Sequence, residues 1–300
     1  MIKLINRNDL DEKKYNTCIS NSKQSLIYAY SWYLDIVCDN WSVLVWKDYM
    51  AVMPIPHRKK YVIKYIHPPL WVLQLGVFSI TDEVSESDFV KFLYKKFRFV
   101  ELRLNSENTI EQGIDCEERQ FQELSIDIDH ELLQKNYQSD RRKDLKKAAK
   151  YNLEAKWTDE PNNLIQLFKA NVGQRTPEIK EKDYQNLTRL IQRCIEKNAG
   201  EILSIYQDGQ LVASGFFLKH QKTVTILCSS TDFSNRNNGA NTFLIDTAIQ
   251  KYGSSYETFN FGGSSMTSIA NYFFSFGANE VTYPFLIQKR WPMLLRFLKS

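Results

Sequence analysis

The sequence predicts an α/β protein in which mixed sheets are flanked by helices, arranged as two successive halves. Three observations support this prediction. Short runs rich in Val, Ile, Tyr and Trp alternate with amphipathic helical segments along the whole chain. A strand meander followed by a helix and a strand occurs twice. The length of 300 residues also suits two domains of ordinary size better than one.

The first half contains strands on either side of one clear amphipathic helix. That helix begins at Ser85, because apolar residues follow it at helical spacing. The predicted elements, in order, are a helix from Ser31, strands over 41–46, 50–56 and 61–67, a helix from Ser85, and strands over 99–104 and 121–127. We therefore expect a first domain over residues 1–125.

The second half repeats the same order with longer strands. Asp208 and Gly209 form a strong hairpin signal between two of them. The predicted elements are a helix over 139–150, a strand over 153–157, helices over 162–172 and 182–198, strands over 201–207, 211–219 and 223–230, a helix over 239–252, a strand over 256–261, a helix over 266–276 and a strand over 281–287. We expect a second domain over residues 126–300.

Composition restricts the class of protein. The net charge of +4 is too small for a protein that binds nucleic acid with its whole surface. The five cysteines are scattered without CxxC spacing and the four histidines do not cluster, so we expect reduced thiols and no metal. The sequence shows neither a signal peptide nor an apolar run of membrane-spanning length. These features predict a cytoplasmic protein without a membrane span.

A loop that leads into a helix is the first candidate site. The strand over 223–230 ends in small polar residues that include Ser229, and a polar loop then brings Arg236 to the start of the helix. Unpaired backbone N–H groups and the positive end of the helix dipole favour phosphate at such a position. We expect this loop to be exposed. The predicted donor-binding residues are Arg236, Asn238, Gly239, Ala240 and Asn241.

A glycine pair after the next strand is the second candidate site. The strand over 256–261 ends in Gly262 and Gly263, and Ser264 opens the following helix. Glycines at a strand end allow a substrate backbone or an acyl chain to approach closely, or permit tight packing of the helix on the sheet. We predict that Gly262, Gly263 and Ser264 bind substrate together with Ser229, and that Tyr272 flanks them from the helix.

A basic helix is the third candidate site. Lys143 and Lys147 share one face of the helix over 139–150, and Arg141 lies near its start. Such a face either is simply solvated or binds the phosphates of a substrate. We predict that Arg141, Lys143 and Lys147 bind substrate.

Taken together, these segments resemble the FemAB-like branch of the GNAT superfamily of acyltransferases. The 223–249 segment is similar to the GNAT acyl-CoA motif R/Q-x-x-G-x-G/A, and the 259–285 segment is similar to the C-terminal part of FemAB-like proteins. The stretches 31–41, 52–56 and 66–79 also look like FemAB-like sequences. The resemblance implies two tandem GNAT-like halves that face a shared cleft.

The resemblance also implies the chemistry. A FemAB-like protein is expected to move an activated acyl group from acyl-CoA or aminoacyl-tRNA onto an amine of a small molecule or peptide. Fem ligases use aminoacyl-tRNA, so tRNA is a possible partner of the basic helix. Two positions depart from the GNAT pattern: Asn241 replaces a second small residue, and Phe273 stands where many GNAT enzymes have a proton-donating tyrosine.

Two other function classes stay open on the sequence. A non-catalytic binding module that retains the GNAT fold would explain Asn241 and Phe273. A nucleic-acid-binding protein would use the basic helix, although aromatic residues do not alternate with that basic run. No general base can be identified: Asp246 is a candidate by position and is expected on the helix surface.

Overall fold

A computed structural model describes residues 1–60, 63–158, 160–262 and 267–290, and of Lys60, Asn235 and Arg236 the backbone alone. Helices flank mixed parallel and antiparallel strands, which confirms the predicted α/β class. The chain divides into two compact units. The first unit combines Met1–Arg119 with the chain from Thr282 onward, and the second is Gln120–Val281.

The first unit builds its sheet from both ends of the chain. Its elements are β1 (Ile2–Asn6), α1 (Glu12–Asn21), α2 (Ser31–Val37), β2 (Trp41–Trp46), β3 (Ala51–Lys60), β4 (Ile63–Ile66), β5 (Phe78–Ser79), α3 (Glu86–Lys96), β6 (Phe99–Arg103) and most of β13 (Asn279–Lys289). The strand order is β1-β2-β3-β4-β6-β13, and β5 pairs with β3. All these pairs are antiparallel except β4 with β6.

The second unit contains a sheet with one parallel pair. Its elements are β7 (Cys116–Ser125), α4 (His130–Asn136), α5 (Ser139–Lys150), β8 (Glu154–Thr158), α6 (Pro161–Ala170), α7 (Glu181–Glu196), β9 (Gly200–Gln207), β10 (Gln210–His220), β11 (Thr223–Thr231), α8 (Ala240–Tyr252), β12 (Thr258–Asn260) and α9 (Thr267–Phe274). The order is β7-β12-β11-β10-β9-β8. Strands β11 and β12 are parallel, whereas their other neighbours are antiparallel.

The core of the second unit lies between this sheet and the helices α4, α8 and α9. Phe217, Phe259 and Phe276 are completely buried in it, and Leu244 and Ile249 pack onto it from α8. Burying one large apolar side chain contributes roughly 1.5–3 kcal/mol, so these contacts determine where α8 sits on the sheet. The apolar residues of α8 recur at helical spacing, which is why this segment folds as a helix.

The structure contains elements that the sequence reasoning did not predict. Strand β1 is an edge strand whose side chains are only partly buried, so its hydrophobic pattern is weak. Helices α1 and α4 begin at the N-caps Asp11 and Asp129, whose carboxylates accept backbone N–H groups. Strand β3 continues past Pro56 because His57 to Lys60 pair with β4.

The compact units also differ from the predicted division into residues 1–125 and 126–300. Strand β13 pairs with β6 from Phe285 to Lys289, so the end of the chain completes the sheet of the first unit. The predicted division places that strand with the second half, because sequence order alone does not show a strand that returns. Among the described residues, no helix is both long and apolar enough to span a membrane.

Candidate functional site

The parallel strands β11 and β12 pair over a short stretch and then separate. The paired residues are Thr223 with Thr258, Val224 with Phe259 and Thr225 with Asn260. Beyond Thr225, β11 continues to Thr231 and stays paired with β10 on its other side. Within the described residues, no strand pairs with this last part of β11 on the β12 side. Its backbone N–H and C=O groups on that side lack ladder partners and can bind a ligand through the main chain.

A β-bulge lies at the point of separation. Phe216 pairs with Cys228 and Phe217 pairs with Ile226, so Leu227 is an extra residue in β11. A bulge leaves one residue out of the ladder and changes the direction of the neighbouring backbone groups. The thiol of Cys228 is not a nucleophile, because burial raises its pKa to about 12. The backbone groups on the β12 side therefore stay the main feature of this strand that a ligand can contact.

The N-terminus of α8 is capped within the protein. The side chain of Asn238 accepts the Ala240 N–H at 3.0 Å and donates to Gln207 Oε1 at 2.8 Å. Asn238 and Ala240 are both buried. One of the helix-terminal N–H groups that the sequence assigned to a donor phosphate is thus already bonded.

Helix α5 covers this helix end. Gly239 is buried and has a φ of +80°, and a Cβ atom there would lie 2.2 Å from the backbone oxygen of Asp144. The expectation of an exposed loop at Gly239 is therefore wrong. The glycine lets the backbone of α5 approach the start of α8, a packing role that the sequence pattern cannot distinguish from a ligand-binding role.

Arg141 takes part in a polar cluster at the same place. Its Nη1 donates to Thr242 Oγ1 at 2.9 Å, and its Nη2 lies 3.1 Å from Asp144 Oδ2. Thr242 Oγ1 in turn donates to Asp144 Oδ2 at 3.1 Å. The Arg141 side chain is 13% exposed, and its Nε has no acceptor among the described residues. A carboxylate therefore already balances the charge of Arg141.

Tyr272 completes this cluster, whereas Phe273 does not contribute to it. The guanidinium carbon of Arg141 lies 4.3 Å from the centroid of the Tyr272 ring. The Tyr272 hydroxyl is 3.2 Å from Thr242 Oγ1. Burial raises the pKa of Tyr272, although bonds to Thr242 and Arg141 lower it in part. Phe273 stacks on Phe261 with ring centroids 4.9 Å apart and thus faces the core.

The remaining side chains of α5 form an exposed basic face. Lys143 and Lys147 make single long ion pairs with Asp140 and Asp144, at 3.5 Å each, and both are largely exposed. The exposed basic residues of this face are Arg142, Lys143, Lys146, Lys147 and Lys150. Arg141 projects from the opposite side of the helix, so the predicted set of three basic residues is divided between two environments.

The other predicted site residues lie around the separation of the strands. Ser229 lies in the part of β11 that pairs with β10 but not with β12, and it is opposite Gly215 on β10. Asn241 is partly buried in the first turn of α8. Gly262 has a φ of +77°, and its N–H donates to Asn260 Oδ1 at 2.7 Å. Gly263, Ser264 and the side chain of Arg236 lie outside the described residues.

The candidate base Asp246 is a buried carboxylate on α8. Asp246 is 6% exposed, so its expected place on the helix surface is wrong. It accepts hydrogen bonds from Gln134 Nε2 at 2.9 Å and Tyr137 Oη at 3.1 Å, and it lies 2.9 Å from His130 Nε2. Thr242 and Asp246 are four residues apart and so share the face that α5 and α4 cover. The sequence signal for this buried polar face was the spacing of these two polar residues in an otherwise apolar helix.

Within the part of the chain that the structure describes, no three His, Cys, Asp or Glu side chains come together as a metal site.

A sequence profile of the acetyltransferase (GNAT) domain matches residues 135–273. The match begins in α4 and ends in α9, so it includes the separating strands and the start of α8. No curated protein sequence matches the chain.

Three solved structures are similar to the chain over nearly its whole length. FemX shares 9% identity with a TM-score of 0.66, covering 99% of this chain and 100% of FemX. L-PGS from Bacillus licheniformis shares 11% identity with a TM-score of 0.55, covering 96% and 95%. A tandem GNAT protein from the clavulanic acid biosynthesis pathway shares 8% identity with a TM-score of 0.52, covering 97% and 99%. At these identities the likeness concerns the fold, and it confirms the predicted resemblance to tandem, FemAB-like GNAT folds.

Proposed function

Because residues 135–273 match the profile of the GNAT acetyltransferase domain, we propose that the chain transfers an aminoacyl group from aminoacyl-tRNA to an amine. Acyl or aminoacyl transfer in general agrees with this domain and with the fold of FemX and the tandem GNAT protein. The choice of donor rests on one observation: α5 covers the N-terminus of α8, where acyl-CoA was expected to place its phosphates.

The covered helix end disfavours CoA on both steric and electrostatic grounds. A pyrophosphate at this position needs the space that the Asp144 backbone occupies beside Gly239. It also faces the Asp144 carboxylate, which bonds to Thr242 in the first turn of α8. Arg141 and this carboxylate balance each other, so the ion pair offers a pyrophosphate no net positive charge. The helix N-terminus alone offers an anion only about 0.3–1 kcal/mol.

The exposed face of α5 supports a polyanionic donor instead. Its basic residues are Arg142, Lys143, Lys146, Lys147 and Lys150, and the two ion pairs of Lys143 and Lys147 are long and solvated. Exposed pairs of this kind contribute about 0–1 kcal/mol, so a nucleic-acid phosphate can displace them at little cost. Contacts of this type fix the register of a tRNA acceptor stem without reading its sequence.

In this proposal the aminoacyl ester binds along the unpaired part of β11. The amine nitrogen of the acceptor attacks the ester carbonyl, a C–N bond forms and the ester C–O bond breaks. The proton leaves the amine and ends on the hydroxyl of the terminal ribose. Backbone N–H groups near the bulge at Leu227 polarise the carbonyl as negative charge develops on its oxygen. Binding both substrates in one orientation supplies the rest of the acceleration.

The same proposal defines the class of acceptor and the cellular compartment of the reaction. A small-molecule or peptide amine is the nucleophile, and the cytoplasm is where charged tRNA is available. A binding module that retains the GNAT fold is the second candidate. Phe273 favours it, because this ring faces Phe261 and provides no proton donor.

One experiment separates these two functions. The protein is incubated with tRNA charged with labelled amino acids and with a pool of amines, and the label that remains on tRNA is measured over time. A transferase discharges the tRNA and forms an amide, whereas a binding module retains charged tRNA without discharging it. The variant with Lys143→Ala and Lys147→Ala should bind charged tRNA more weakly, and a variant with Lys95→Ala and Lys96→Ala in α3 is the matched control. Absence of both binding and discharge contradicts the proposed donor.

A further inference from the structure

Two arginines lie close together on one face of the first unit. Arg103 pairs directly across the strands with Phe285, and the guanidinium carbon of Arg119 lies 3.5 Å from the centroid of the Phe285 ring. Arg103 is half-buried and has no ion-pair partner within the described residues. Its Nη1 donates to the backbone oxygen of Val72 at a long 3.4 Å. A partly desolvated guanidinium with so little compensation is costly unless an anion approaches it.

The neighbouring carboxylates are already engaged. Glu101 is bonded to Lys289 Nζ at 2.9 Å and lies 3.3 Å from His67 Nδ1. Glu117 pairs with Arg119 at 3.1 Å on the solvent side, where both are substantially exposed. Burial is the main cause that lowers the pKa of Arg103 and Arg119 lowers it further, whereas Tyr283 and Glu101 raise it. Glu101 is shared with Lys289 and His67, so it does not balance Arg103 alone.

A buried amide without a partner lies on the same face. Leu75 forms a parallel bridge with Leu104, and its N–H donates to the Arg103 carbonyl at 2.9 Å. Leu75 and Leu104 are both buried. Arg103 Nη1 donates to the Val72 backbone oxygen, so the segment that carries Gln74 lies beside the Arg103 side chain. Gln74 is 8% exposed, and its Nε2 has no acceptor among the described residues. A buried donor without an acceptor costs about 1–3 kcal/mol, which indicates that an acceptor belongs there.

We propose that Arg103, Arg119 and Gln74 form an oxyanion-binding site on the first unit. The ligand is a carboxylate or phosphate group, for which two guanidinium forks and one amide N–H are suitable donors. Phe285 lies beside the two arginines and provides an aromatic wall. The site lies outside residues 135–273, so it is separate from the GNAT domain.

The binding site itself is tested without any donor. Isothermal titration calorimetry at low salt measures binding of inorganic phosphate and pyrophosphate in one arm, and of acetate and succinate in the other. We expect saturable binding in one arm, which identifies the oxyanion. Arg103→Gln and Arg119→Gln should each weaken that binding about tenfold or more, since each removes a charge-assisted hydrogen bond. Arg193→Gln in α7, which removes an exposed ion pair with Glu196, is the matched control and should bind like the wild type.

Gln74→Leu is a site variant that we expect to fold normally, so it separates loss of binding from loss of structure. This substitution removes the buried donor, so the melting temperature of the free protein should stay the same or rise while anion binding weakens. Lack of binding in both arms, or equal binding by the wild type and all three site variants, overturns the site. Because neither tRNA nor transfer is involved, failure of the proposed function would leave this result unaffected.

Discussion

The backbone oxygen of Asp144 lies 2.2 Å from the position that a Cβ atom on residue 239 would occupy. Helix α5 therefore packs on the start of α8 because residue 239 is glycine. The same residue that a sequence motif assigns to phosphate binding is here the contact point between two helices. As a result of this contact, Asp144 and Arg141 lie at the first turn of α8, whereas the lysines on the other side of α5 are exposed.

Gly239→Ala should strongly destabilise the protein. The new methyl group meets the Asp144 backbone, and a φ of +80° is unfavourable for any residue with a side chain. We expect a loss of roughly 2–4 kcal/mol in the free energy of unfolding, measured by urea denaturation. Gly209→Ala is the matched control, because Gly209 has a φ of +78° and nothing within 4 Å of its Cβ position. Equal losses for both variants would contradict the packing contact.

Arg141→Ala should destabilise the protein, whereas Lys143→Ala should not. The first change leaves the Asp144 carboxylate with only its long ion pair to Lys147 and removes the stack on Tyr272. We expect a loss of roughly 2 kcal/mol for Arg141→Ala, since both partners are largely buried. Lys143 is exposed and only weakly paired, so the Lys143→Ala protein should have the melting temperature of the wild type. An Arg141→Ala protein with the same melting temperature as the wild type would contradict this prediction.

Glu201 should give the second unit a pH-dependent stability. Burial raises its pKa, but hydrogen bonds from Lys219, Lys251 and Tyr252 outweigh this and lower the pKa to about 2. The folded pKa is thus below the unfolded value, so the stabilisation is present above about pH 4.5 and is lost as pH falls toward 2. Glu201 is partly exposed, so we expect a contribution of about 1–2 kcal/mol after solvent screening. The difference between the wild type and Glu201→Gln should shrink from pH 6 to pH 3, and a constant difference would exclude this linkage.

Phe273→Tyr should leave the discharge of aminoacyl-tRNA unchanged. The ring at this position stacks on Phe261, so a phenol there faces the core and not the unpaired part of β11. Tyr272→Phe removes a hydroxyl bonded to Thr242 and should lower the free energy of unfolding by about 1 kcal/mol. A large rate increase for Phe273→Tyr in the tRNA discharge assay would show that this residue reaches the substrate.

Periodicity and turn signals were sufficient to predict most strands and helices of the chain. The hairpin at Asp208 and Gly209 and the helix after Ser85 are examples in which local chemistry determines the element. The return of β13 to the first unit could not be predicted, because strand pairing between distant segments leaves no local pattern.

The candidate site was harder to predict for the same reason. The sequence does not show that α5 lies on α8, so Gly239 and Asp246 were both expected to be exposed. Their burial is decided by tertiary packing against Asp144, His130, Gln134 and Tyr137. Gln74 is a similar case, since an unsatisfied buried amide is recognisable only once its neighbours are known.

The proposed donor is aminoacyl-tRNA and not acyl-CoA. Parallel binding titrations of the wild-type protein with aminoacyl-tRNA, deacylated tRNA, acetyl-CoA and a long-chain acyl-CoA distinguish the two donors. We expect aminoacyl-tRNA to bind more tightly than deacylated tRNA, with a salt dependence whose slope falls by about one for each of Lys143 and Lys147 that is changed to Ala. Neither CoA ester should bind. Saturable binding of a CoA ester together with no binding of aminoacyl-tRNA would show that the donor is acyl-CoA.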